Sequence, residues 1–377
     1  MKTVGIICEY NPFHNGHRRQ IQQIRERFGL DTAVVCLMSG NYVQRGAPAL
    51  VDKSIRAKAA VLSGADLVLE LPVTVSLSSA EGFAAGGVRI LSRFCDVLCF
   101  GTESMTEEML VQTAQALLSP QFSDLLKEEI TSGCSFPIAR QQALARMGVK
   151  TILSNPNDIL GVEYTKAILS QHSSMTIFPV FRSGDYHSQV LSSQAPSATA
   201  LRKAMLSGDE WQTAVPEATI PLLQNAAYHT LEAGERAILS KLRTMTDGDF
   251  EHLPYGSEGL WRKLMKACRS KNDLTAIIEA TKSKRYTRTR IDRMILCAFL
   301  GLTEENMGVL PSRIRVLAFN DRGRSILRTH DCFCNAGEAV DETEQRIGSL
   351  YGLFAITEVE PPDTEIKRRI FYHQEKS

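Results

Sequence analysis

Residues 3–27 constrain the fold of this chain more than any other stretch. The run Val4-Gly5-Ile6-Ile7-Cys8 is continuously apolar, as a strand buried on both faces must be. It leads into Asn11-Pro12-Phe13-His14-Asn15-Gly16-His17 and then into a helical pattern over 16–27. A buried strand that ends in a Pro- and Gly-punctuated turn and opens a helix is the first unit of a parallel sheet. Its turn lies at the carboxyl edge, where ligands bind. There His14 and His17 suit hydrogen bonding to phosphate oxygens, the helix start adds free N–H groups, and Gly16 removes a side chain where a nucleotide must approach. Two solvated loop histidines are the bland alternative. Strand, Pro, Gly and helix in this order favour the phosphate role.

The same alternation continues. Segments 33–38, 67–71, 97–101 and 175–181 read as buried strands, and 53–63, 80–93 and 107–118 as crossover helices. The fold class is therefore α/β, with a doubly wound, mostly parallel, Rossmann-like sheet and a site where the strand order reverses. After about residue 205 the pattern turns helical over 221–233, 235–244, 256–270, 273–281 and 288–300. Segments 314–319, 325–328 and 368–373 suggest a small α/β appendage. With 377 residues, more than one core usually holds, two domains are expected: 1–205 for the nucleotide and 206–377 as the mainly helical module.

A net charge of +1 excludes little, because a balanced chain still carries local basic faces. The N-terminus lacks the apolar core of a signal peptide, and no segment is long enough to span a bilayer, so a cytoplasmic protein without a membrane partner is expected. The 9 cysteines lack paired Cys-x-x-Cys spacing and read as reduced thiols, and no metal site is assigned. The sequence assigns no oligomeric state.

Further constellations carry chemistry. Ser197-Ala198-Thr199-Ala200-Leu201-Arg202 places hydroxyls, helix-start N–H groups and a guanidinium one turn apart, which suits a phosphate cluster; a plain N-cap is the alternative. Asn157 and Asp158 follow Pro156 at a helix start and are natural caps. Gly40-Asn41-Tyr42-Val43-Gln44-Arg45-Gly46 suits a substrate-facing loop, and Lys53 and Arg56 either face the same cleft or are solvated. Asp52, Asp66 and Glu70 do not have the spacing of a metal cage. Lys282, Lys284, Arg285, Arg288 and Arg290 surround Tyr286, a pattern for phosphate contact with base stacking or for a solvated helix face; Arg313, Arg315, Arg322 and Arg324 extend the patch.

His14-Asn15-Gly16-His17 resembles the His-x-Gly-His motif of the nucleotidyltransferase superfamily. The blocks 8–17, 40–46, 66–72, 100–103, 154–164, 186–187 with 197–202, 284–287 and 314–320 resemble the bacterial tRNA(Met) cytidine acetate ligase family over nearly the whole chain. One departure is Leu201, where related enzymes often have Ile, at a position that should pack inward. The resemblance implies ATP as co-substrate, Mg²⁺ on its phosphates, acetate, and elongator tRNA(Met) as partner. It implies an acetyl-adenylate intermediate and N4-acetylcytidine as product. Catalytic roles carry over to His14, His17 and Arg202. ATP contacts carry over to Ile7, Cys8, Glu9, Tyr10, Asn11, Pro12, Phe13, His14, Asn15, Gly16, His17, Arg18, Arg19 and Gln20, and to Gly101, Asn157, Arg182, Ser197 and Thr199. RNA contacts are expected at Lys282, Lys284, Arg285, Arg288 and Arg290. The same histidines would also serve a metabolic adenylyltransferase acting on a small phosphorylated coenzyme precursor, although such an enzyme needs little beyond the nucleotide domain. A non-catalytic regulator would not need all these groups together.

Overall fold

The computed structural model describes residues 1–132, 136–151, 153–181, 196–283, 285–334 and 341–374. Strands β1 (Thr3–Cys8), β2 (Ala33–Ser39), β3 (Tyr42–Val43), β4 (Ala47–Pro48), β5 (Leu67–Leu71), β6 (Val97–Thr102), β7 (Thr176–Phe181), β8 (Val316–Asn320) and β9 (Phe371–His373) follow in chain order. Seven of them form one sheet, ordered β7-β6-β1-β2-β5-β8-β9, and β3 and β4 make a separate small hairpin. The five strands β7, β6, β1, β2 and β5 are parallel to one another. Alternation along them feeds two cores. Ile7, Val35, Leu37, Leu67 and Leu69 face the helices Ala80–Leu91, Glu107–Leu118 and Pro156–Ser170; Val4, Ile6, Val34, Cys36 and Val68 face Asn15–Phe28 and Lys53–Leu62.

Chain order reverses between β1 and β6, which are the inner strands of the two halves. β1 pairs with β2 through Cys8 and Met38, whereas its pairing with β6 runs only through Val4–Val97 and Gly5–Leu98. Pairing of β1 with β6 therefore lapses toward their carboxyl ends, at the switch point where the ligand crevice of such a sheet lies.

The segments expected as an appendage do something else. β8 adds antiparallel to β5 and β9 adds parallel to β8, so the chain beyond 206 returns to the first sheet instead of standing apart from it. β5 is buried along its whole length and would otherwise offer an open edge. Segment 325–328 is part of the helix Asp321–Thr329, capped by the Asn320 side chain. The helices Glu235–Thr244 and Arg288–Leu300 match expectation to the residue. Segment 221–233 does not: the helix stops at Gln224, and His229 instead bridges Ala355 and donates to the Leu50 carbonyl. The helical module's core includes Tyr42, Val73 and Leu77 from the first half. No helix among the described residues is long and apolar enough to cross a membrane.

Candidate nucleotide site

The loop from Cys8 to His14 is held from every side. Tyr10 adopts φ +44°, a conformation uncommon for a residue with a side chain, and is fully enclosed, its hydroxyl 3.3 Å from Cys36 Sγ. Asn11 Oδ1 accepts from Leu50 N (2.8 Å), and Glu9 Oε1 accepts from Gln44 N (2.9 Å). Arg56, buried completely, donates to the carbonyls of Val51, Glu9, Ser39 and Gly40, so one guanidinium stitches the ends of β1 and β2 together. It neither lines the cleft nor meets solvent.

His14 caps the helix Asn15–Phe28. Its Nδ1 accepts from Gly16 N at 3.1 Å, while His17 Nδ1 accepts from His14 N at 3.2 Å. The rings stack at 3.6 Å and 18°. With both Nδ1 atoms accepting, the hydrogen-bond network assigns the ring hydrogen to Nε2 in each. The site thus holds two imidazoles stacked in nearly parallel planes, each assigned an Nε2–H donor, a pairing suited to phosphate oxygens. Gly16 has an intramolecular reason as well: a Cβ there would lie 2.9 Å from His14 Cε1. The expected free N–H groups of the helix start are partly used, because Gly16 N serves His14 Nδ1 and His17 N serves the His14 carbonyl. Tyr10 and Phe13 pack against the His17 ring at 4.7 and 5.4 Å.

Ser197 caps the helix Ala198–Ser207, its Oγ accepting from Ala200 N. One turn on, Arg202 donates to the Asn11 carbonyl at 2.8 Å and to Thr199 Oγ1 at 3.2 Å, which brings this helix start to the histidine loop from 191 residues away. Leu201 packs inward, fully buried. Across the crevice, past Gly101 at the end of β6, Glu103 accepts from the Asn157 side chain and from Asp158 N, and Asp158 accepts in return from the amides of Glu103 and Ser104. Burial raises the Asp158 pKa, but the Ser104 hydroxyl and these amides outweigh it and hold the carboxyl below its ordinary range. Arg18 and Arg19 are exposed on the first helix, and Gln20 Nε2 reaches Cys99 Sγ at 3.5 Å on β6. Arg182 and Lys284 lie outside the described residues.

The acids and cations behind the sheet edge form a buried network. Lys53 Nζ lies 2.6 Å from both Glu70 Oε1 and Glu365 Oε1. Glu365 also pairs with Arg315 and Arg368, and Arg368 with Asp52. Burial pushes the Glu365 and Asp52 pKa values up, yet their cations bring both down to about 2. Burial, with Glu70 adding to it, raises Glu344 to about 8. Arg315, expected on an RNA patch, is consumed here, and Arg322 pairs with Asp66. Tyr286 is buried with its hydroxyl on the Glu258 carbonyl, and Arg290 is held by Tyr255 O and Ser257 Oγ, so neither stands as an open stacking or phosphate group. Lys282, Arg285 and Arg288 are exposed.

Among the contacts between the two halves that sequence reasoning missed is one at Gly46. Gly46, at φ +80°, lies against the helix Arg288–Leu300 so closely that a Cβ would be 2.4 Å from Arg293 N. Arg293 reaches the Gln44 carbonyl at 3.5 Å and lies over the Tyr255 ring at 5.0 Å. A Gly at the end of a polar loop was the only local signal.

A family model described as HIGH Nucleotidyl Transferase matches residues 1–336. A tRNA(Met) cytidine acetate ligase of Acetivibrio thermocellus is 34% identical over 357 residues, covering 87% of this chain and 85% of the relative. One of Alkaliphilus metalliredigens is 37% identical over 363 residues, with coverages of 87% and 85%. Crystal structures of Thermotoga maritima TmcAL, apo and bound with alpha-thio ATP, superpose with TM-scores of 0.88 and 0.87 at 30% identity over 100% of both chains. With this match in sequence and in fold, the chain belongs to the HIGH nucleotidyl transferases and, among them, to the tRNA(Met) cytidine acetate ligase family.

Proposed function

We propose that this protein is an ATP-dependent acetate ligase that forms N4-acetylcytidine at the wobble position of elongator tRNA(Met). The observation that carries the reading is the convergence of the stacked His14 and His17 rings and the Arg202 guanidinium on the loop after β1, beside the switch-point crevice. The curated relatives bear the ligase name, and the Thermotoga maritima relative holds an ATP analogue.

In the first step an acetate oxygen attacks the α-phosphorus of ATP. The new acyl–phosphate bond replaces the bond to the bridging oxygen, and pyrophosphate leaves. The Nε2–H groups of His14 and His17 stabilise the charge that grows on the α-phosphate oxygens, and Arg202 with the Ser197–Thr199 turn steadies the departing phosphates. Mg²⁺ travels with the ATP phosphates. The loop 7–20 with Gly101, Asn157 and Arg182 frames the nucleotide. In the second step the cytidine N4 amine attacks the acetyl carbonyl, AMP leaves, and the nitrogen loses a proton. Lys282, Lys284, Arg285 and Arg288 contact RNA phosphates, while Arg290 holds the loop beneath them. The nucleotide chemistry belongs to 1–205 and RNA contact to 206–377. The cytoplasm is the compartment that supplies these substrates.

The test is mass spectrometry of nucleosides from tRNA(Met) transcript incubated with protein, ATP, magnesium and acetate. Acetylcytidine that vanishes when acetate is withheld is the expected result. Pyrophosphate release with a small phosphorylated acceptor, and no acetylcytidine, would replace this reading with a metabolic adenylyltransferase.

A further inference from the structure

Between Glu258 and Asp273 the sequence has five cations, Arg262, Lys263, Lys266, Arg269 and Lys271, and no carboxylate. The structure sorts them. The helix Leu260–Ser270 buries Leu260, Leu264, Met265, Ala267 and Cys268 in the helical module's core. Arg262, Lys266 and Arg269, at i, i+4 and i+7, are exposed in one stripe about 10 Å long. The Arg262 guanidinium lies 4.9 Å over the Trp261 ring, and Arg269 pairs at the surface with Asp247.

The helix that carries the stripe borders the segment already assigned to RNA. Lys263 Nζ donates to the Lys282 carbonyl at 3.0 Å, which ties the helix to the start of that segment. Arg288 then opens the helix Arg288–Leu300, and five residues along that helix, about 7.5 Å, Arg293 touches the Gln44 carbonyl in the loop that Glu9 ties to the histidine site. Exposed cations therefore lie at Arg288, paired with Asp292, at Arg285, and at Lys282, paired with Glu279, beside the helix Leu260–Ser270, while buried Arg293 links the Arg288–Leu300 helix to the loop of the histidine site.

We infer that this face is a second RNA-contact surface, the track for the ribose-phosphate backbone of the stem whose loop presents the cytidine. The inference rests on the ligase reading. Three phosphate contacts change the slope of log affinity against log salt by about 2–3, equivalent to roughly 10²-fold in affinity near 0.1 M salt.

The experiment compares the unmodified protein with R262A/K266A/R269A by fluorescence anisotropy of labelled tRNA(Met) transcript across a salt series. Acetylcytidine is measured in the same samples. The triple variant should lose about 2–3 from the slope and raise the KM for tRNA, while R262K/R269K keeps the slope, which separates charge from misfolding. Product with unaltered slope and KM in the triple variant would overturn the face and leave the ligase reading standing. An equal loss in a variant lacking the exposed Lys127 and Lys150 would also overturn it, by showing diffuse attraction. Absence of product from the unmodified protein would mark failure of the ligase reading itself.

Discussion

Gly46→Ala tests one of the contacts that join the two halves of the molecule. Two separate costs meet at this residue. The backbone at φ +80° disfavours any L side chain by about 1–2 kcal/mol. The added Cβ would also lie 2.4 Å from Arg293 N, 2.5 Å from Asp292 C and 2.8 Å from Arg293 Cα. These are backbone atoms of a helix and cannot turn aside as a side chain can, so overpacking adds about 1–3 kcal/mol. The expected destabilisation is about 2–5 kcal/mol. Gly208→Ala is the matched control, because Gly208 has φ +78° and nothing within 4 Å of its Cβ position, leaving only the backbone cost of about 1–2 kcal/mol. Urea unfolding of both variants gives the two midpoints, and the difference between them reports the contact. On the proposed reading the loop links the RNA-contact segment to the histidine site, so loss of acetylcytidine should exceed loss of acetate-dependent pyrophosphate exchange in Gly46→Ala. Equal destabilisation of the two variants would refute the packing argument.

Other perturbations address the site and the buried charges. His17→Ala removes the acceptor for His14 N and the stacked ring, and should lower acetate-dependent pyrophosphate exchange by about 10²–10³-fold while tRNA binding persists; normal exchange would remove the histidine from the mechanism. Glu365→Gln leaves Lys53, Arg315 and Arg368 short of a carboxylate in a buried setting and should cost about 3–5 kcal/mol in urea unfolding at neutral pH. The folded carboxyl titrates near 2, below its ordinary 4.5, so its stabilisation is complete above pH 4.5 and fades as the pH falls toward 2; the variant should lack that part of the acid sensitivity. Glu344 has the opposite sign. Its folded pKa of about 8 lies above the ordinary 4.5, so stability declines as pH rises from 4.5 to 8, and Glu344→Gln should unfold at higher urea than the unmodified protein by ~2–4 kcal/mol at pH 8 but not at pH 4.

What the sequence disclosed was mostly local. β1 and the helices Glu107–Leu118 and Arg288–Leu300 are legible because an uninterrupted apolar period meets a Thr at the start of each helix. The histidine turn is legible for the same reason, since His14 and His17 make their bonds within one helical turn. Arg202 was legible locally as a guanidinium one turn into a Ser/Thr-capped helix, but no local pattern foretells its bond to Asn11, 191 residues away. The misreadings share that cause. Arg315 looked like a surface cation because its partner Glu365 is 50 residues on, and Tyr286 looked like a stacking platform because the Glu258 carbonyl that takes its hydroxyl lies in another loop. Lys53 and Arg56 sit on a helix of otherwise ordinary amphipathic character, and only the packed sheet edge shows that both are interior groups. Segment 221–233 has helix-forming residues, but tertiary pairing of His229 with Ala355 overrides them.

The closing of the sheet by β8 and β9 sets an order in time. Lys53 meets its second carboxylate 312 residues later, so at a synthesis rate of about 5–20 residues per second the lysine waits roughly 15–60 s for Glu365. Through that interval the outer edge of β5 has no β8 to cover it, and an apolar strand in the nascent chain is open to pairing with a neighbour on the same message. The half that carries β1 to β7 is translated first, yet its sheet is completed only by strands from the end of the chain.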